Sequence, residues 1–80
     1  MIERRRYPRF PSDEPARVLL SSRSVLDCTI RNVSFGGACL EMDCAVAIPD
    51  VFDLIPRSSD ARMCRVMWRV KDRVGVAFQH

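Results

Sequence analysis

Cys64-Arg65-Val66-Met67-Trp68-Arg69-Val70 decides the fold class. Cys64, Val66, Trp68 and Val70 alternate with Arg65, Met67 and Arg69, the period-two signature of a strand with one apolar and one wet face. Lys71-Asp72-Arg73 is a turn, and Val74, Val76 and Phe78 carry the apolar face back along a return strand. Trp68 invites a stacking role, yet on this alternation it packs in the core, and its truncation to alanine costs several kcal/mol, about 3 or more. Working outward, β-type runs cover Ala16 to Leu20, Val25 to Val33, Gly37 to Met42, Val51 to Ile55, Met63 to Val70 and Val74 to Phe78. Turn formers separate them at Ser21-Ser22, Ser34-Phe35-Gly36-Gly37, Ile48-Pro49-Asp50 and Pro56-Arg57-Ser58-Ser59-Asp60. Residues 41–48 have room for a short turn, and no segment sustains a helical period. The expectation is an all-β fold, a small six-stranded antiparallel β-barrel with little or no helix. Closure hides the apolar faces and removes exposed edges.

Eighty residues with 48% hydrophobic and 29% charged side chains suit one folded domain over 1–80 with a modest core. No apolar run is long enough to cross a bilayer, and the basic start MIERRRYPRF has no apolar stretch behind it, so a cytoplasmic location without membrane insertion is expected. Cys28, Cys39, Cys44 and Cys64 form no CxxC pair and the only histidine is His80, which spells neither a zinc site nor a redox dithiol. Buried free thiols are expected, a disulfide framework being the alternative. No histidine is placed to act as a general base, and no nucleophile elbow or paired carboxylates appear. Asp50 with Asp53, and Glu41 with Asp43, read as turn and solvent-face residues, so an enzyme is not expected.

Tyr7, Pro8, Phe10, Pro11 and Pro15 make the start extended and non-helical. Residues 1–14 read as a flexible arm and 15–79 as the barrel. Arg4, Arg5, Arg6 and Arg9, set against Glu3, account for the whole formal net charge of +3, which points to a localised anion contact. All of the 13 basic residues except Lys71 are arginine, whose planar fork grips a phosphate or a guanine edge in two-point fashion. Two patterns stand out: Arg5-Arg6-Tyr7-Pro8-Arg9, an RxxxR, and Asn32-Val33-Ser34-Phe35-Gly36-Gly37, an NxSxxG at a strand-to-strand turn. Asn32 and Ser34 bring donors and acceptors, and Gly37 allows close backbone approach or positive φ. Each alone reads as a solvated charge run or an ordinary turn.

In this order, in a six-strand chain, the two patterns resemble the PilZ domain family, whose signature is RxxxR followed by [D/N]xSxxG. The likeness extends through Asp27 to Asn32, Gly37-Ala38, Ile48-Pro49, Phe52, Leu54, Cys64-Arg65-Val66, Trp68-Arg69 and Gly75-Val76-Ala77-Phe78. The resemblance implies a receptor for cyclic di-GMP, without other cofactor or metal. Arg5 and Arg9 would contact phosphates and guanine edges, Asn32, Ser34 and Gly37 would line the guanine side, and Arg4 and Arg6 are secondary candidates that no motif assigns. Binding would order the arm and present a new surface to a protein effector. Many PilZ domains continue into a C-terminal helix that this chain lacks after Phe78, which favours a homo-oligomer.

The alternative is a PilZ-like adaptor that binds protein partners without nucleotide. Members of that kind lack the arginines or the [D/N]xSxxG residues, both present here. Single-stranded nucleic acid would want basic groups along a groove with exposed aromatics. One Tyr, one Trp and four Phe, mostly on apolar faces or the arm, do not supply that platform, so no nucleic acid is expected.

Overall fold

A computed structural model describes residues 10–43 and 45–79. Among them are six strands: β1 Phe10–Leu19, β2 Val25–Val33, β3 Gly37–Glu41, β4 Val51–Pro56, β5 Arg62–Val70 and β6 Arg73–Phe78. They close into an all-antiparallel barrel in the order β1-β2-β3-β6-β5-β4, with β4 paired back onto β1. The expected fold is therefore the observed one. Strand ends differ by about a residue from the sequence reading, except at β1, which begins at Phe10 rather than Ala16.

Residues 10–14, assigned to the arm for their prolines, are thus part of the barrel wall. Pairing of β1 with β4 covers only Ala16 to Leu19, so the earlier half of β1 has β2 alone as neighbour. Proline is tolerated beside such an open side, and the register shifts between Pro11 and Glu14 to absorb the irregularity. Glu14 then ties this half-strand to the β4–β5 turn by accepting from the backbone N–H (2.8 Å) and hydroxyl (2.7 Å) of Ser58. The hydroxyl bond is the largest cause holding the Glu14 carboxyl below its ordinary value. That tie is present above the ordinary carboxylate range and fades as pH falls through it.

The core follows from alternation. Val18, Leu40, Leu54, Cys64 and Val74 are wholly enclosed, with Ile30, Ala38, Phe52, Val76 and Phe78 packed around them. Cys28, Cys39 and Cys64 are free and buried, as expected of small hydrophobes, while Cys44 lies outside the described residues. Burial pushes the Cys28 and Cys64 thiols each up to about 11, so neither is reactive at neutral pH.

One end of the barrel is plugged by the β3–β4 connection, which buries Met42, Ala45 and Ile48. Arg69 secures it: the guanidinium donates to the carbonyls of Ala45 and Ile48, both at 2.8 Å, and to Asp50 Oδ1 at 2.9 Å. Arg69→Ala strips two carbonyls of a charged donor and is expected to lower stability by about 2 kcal/mol in urea unfolding. An unchanged midpoint would mean that the plug holds without it.

The sequence reading fails at the far end of β5. Val66 pairs with Val76 but Trp68 pairs with Gly75, leaving Met67 as an extra residue that reverses the alternation. Trp68 and Val70 consequently face outward, 40% and 58% exposed, and Arg69 turns inward to the plug. Trp68 is not a core residue.

Candidate functional site

The outer faces of β3 and β6 carry only small residues along their paired centres: Gly37 and Cys39 on β3, Gly75 and Ala77 on β6. Cys39 is 4% exposed yet stands apart from the core cluster, as its outward position between Ala38 and Leu40 requires. A shallow trough results, and the strands on either side supply its walls. Asn32 pairs with Cys39 from β2, Cys39 with Gly75, and Gly75 with Trp68 on β5, so these four lie in one row across the outer surface. Three interstrand spacings make the row about 14 Å wide.

Trp68 leans over this floor. A Cβ built on Gly75 would lie 2.2 Å from both Cε2 and Nε1 of the indole, so the ring rests directly on the glycine backbone. Glycine is required at position 75 because any side chain would lift the ring away. The sequence reading set core packing of Trp68 above a stacking role, and its 40% exposure reverses that order. Trp68→Ala is accordingly expected to cost about 1 kcal/mol in chemical unfolding, a surface-type loss, whereas a loss of 3 kcal/mol or more would restore the core reading.

At the opposite wall the NxSxxG residues come together. The backbone N–H of Ser34 donates to the Gly37 carbonyl at 2.8 Å, and its hydroxyl to the same oxygen at 3.4 Å, closing the β2–β3 hairpin. The turn is held against β6 by Phe78 N–H donating to the Gly36 carbonyl at 2.9 Å. Among the described residues no glycine has positive φ, so Gly37 is not there for a left-handed turn. Its Cβ would lie 2.1 Å from the Val76 carbonyl oxygen, which makes close approach of β3 to β6 the reason for glycine.

Asn32 is different. Its Oδ1 is shielded from solvent and meets no hydrogen-bond partner among the described residues. A buried acceptor without a donor is uncommon and costs stability, so the position calls for a partner from outside the described residues. Beside it, Arg31 donates to Glu41 Oε1 at 2.6 Å and to Asp13 Oδ1 at 2.5 Å, clamping the bulged part of β1 onto β2 and β3.

Arg4, Arg5, Arg6 and Arg9 lie outside the described residues. The root of their segment does not: Phe10 pairs with Val33 and Pro11 with Asn32, so the chain enters the barrel against the motif. A separate depression of about 600 Å³ over β1, β2 and β4, lined by Arg17, Asp27, Ile55 and Arg57 among others, shares none of these residues.

The profile of the PilZ domain matches residues 3–80. The chain belongs to the PilZ domain family. Comparison with curated proteins returns no match. PilZ domains are known as cyclic di-GMP-binding modules rather than as catalytic ones. Among the described residues no group of histidine, cysteine, aspartate and glutamate could hold a metal ion, and no helix is long and apolar enough to cross a membrane.

Proposed function

We propose that this PilZ protein is a cytoplasmic receptor for cyclic di-GMP that couples the messenger to a protein effector through ordering of its arginine-bearing N-terminal segment. The carrying observation is a juxtaposition: the root of that segment is paired with Asn32, whose buried Oδ1 has no donor among the described residues. A guanine N–H supplies such a donor. Arg5 and Arg9, entering from the adjoining segment, supply charge and planar forks for phosphates and for guanine O6 and N7. Ser34 and Gly37 hold the hairpin that presents Asn32. Trp68, across the trough, offers an indole face on which a base can stack, a contact worth about 1–3 kcal/mol.

Closure transmits a signal only if the ligand binds the ordered form better than the open one, and the new surface is then read by the effector. The nucleotide-independent adaptor is the rival reading. It gives no account of a buried acceptor beside the motif that no described residue satisfies.

Asn32→Ala tests the reading. It removes the unpartnered oxygen, so the fold keeps its stability, while affinity for cyclic di-GMP in calorimetric titration falls about tenfold. Asn32→Asp, with a carboxylate acceptor, binds at least as well as wild type. Equal affinity of wild type and Asn32→Ala would remove Asn32 from the site.

A further inference from the structure

We infer that Arg65 on β5 is an anion-binding residue of the same site, an arginine contact supplied by the barrel wall itself. The inference rests on the cyclic di-GMP reading and adds to it a residue that the RxxxR and NxSxxG patterns do not contain.

The arginines in the strands divide by what their guanidinium groups meet. Arg17 faces Asp27 at 3.8 Å, Arg31 binds Asp13 and Glu41, and Arg73 faces Glu41 at 3.8 Å. Arg69 is consumed by the plug and Asp50, and Arg62 lies over the Phe78 ring at 4.1 Å from its centroid. Arg65 is the strand arginine left over, exposed and in no ion pair with any described residue. Its cross-strand neighbours are Ala77 on β6 and Val51 on β4, neither of which is charged. Asp53, the carboxylate one pleat along β4, makes no ion pair with it.

The register gives that guanidinium a direction. Gly37 pairs with Ala77 and Ala77 with Arg65, so a second row runs beside the Asn32–Trp68 row, from the hairpin turn to β5. Arg65 stands about 10 Å, two interstrand spacings, from Gly37, with only the Ala77 methyl between. An anion in the trough therefore meets Asn32 on one side, and Arg65 beside the Trp68 shelf on the other. A phosphodiester or a guanine Hoogsteen edge is what a fork in this position grips, whereas an ammonium group would offer a point charge.

Arg65→Ala, Arg65→Lys and, as control, Arg57→Ala in the full chain are titrated with cyclic di-GMP, and thermal melts establish that each variant is folded. Arg65→Ala is expected to weaken binding about tenfold and to flatten the dependence of affinity on salt. Arg65→Lys should fall between Arg65→Ala and wild type, and Arg57→Ala should bind as wild type does. Wild-type binding with unaltered affinity in folded Arg65→Ala overturns this inference and leaves the receptor reading standing. A wild-type protein that does not bind overturns both.

Discussion

Gly37→Ala is expected to lower the melting temperature by about 15 °C or more, the largest loss of stability from adding one methyl group to this chain. The methyl carbon would sit 2.1 Å from the Val76 carbonyl oxygen, 3.2 Å from its carbon and 3.3 Å from Ala77 Cα. All three are backbone atoms, so no side chain can swing aside. Relief requires β3 to part from β6, and that pair carries Ala38 against Val76 and Leu40 against Val74 in the middle of the core. A cost at or above the upper end of overpacking, about 3 kcal/mol, follows. The same shift disturbs the Ser34 bonds to the Gly37 carbonyl, so binding should fail along with the fold. A melt within a few degrees of wild type would show that β3 and β6 have slack that the register does not suggest.

The glycine of the motif thus serves the barrel before it serves any ligand, and this was only half legible. NxSxxG was readable as a turn because Ser and Gly mark one chemically. The crowding at Gly37 comes from β6, some forty residues away in sequence, and no local pattern reports it. Closure into six strands was legible because β3, β4 and β6 alternate without interruption and β2 does so up to its bulge between Ile30 and Asn32. In β5 the apolar series Cys64, Val66, Trp68, Val70 continues straight through a bulge that has no glycine or proline to announce it. A signal was nevertheless present. Pairing Val70 with Arg73 across the Lys71-Asp72 turn places Arg69, not Val70, on the face of Val74. Gly75 between two core valines also marks an outward position with room for a large neighbour, which Trp68 fills.

β1 was misjudged for a related reason. Prolines argue against a central strand, and the half of β1 that carries Pro11 lacks β4 as a neighbour. Strand pairing there brings the chain in beside Asn32, a relation that composition cannot express. The arginine count and spacing were legible from the start, while the outward setting of Trp68 and the candidacy of Arg65 emerged only once the register was known.

Arg5→Ala/Arg9→Ala is the substitution expected to act most strongly on binding. Each charged hydrogen-bonding group is worth about 1.5–3 kcal/mol, so the pair together should weaken cyclic di-GMP binding by a hundredfold or more. Neither position belongs to a described strand, and the melting temperature is expected to stay at the wild-type value. Loss of affinity with an intact fold is what separates a ligand-gripping segment from a structural one.

The most direct test of the receptor reading is isothermal titration of the folded protein with cyclic di-GMP, with GTP as control and the Arg5→Ala/Arg9→Ala variant alongside. Saturable binding by wild type, absent with GTP and lost in the variant, is the predicted result. Absence of binding by folded wild-type protein, or equal binding by the variant, would contradict it.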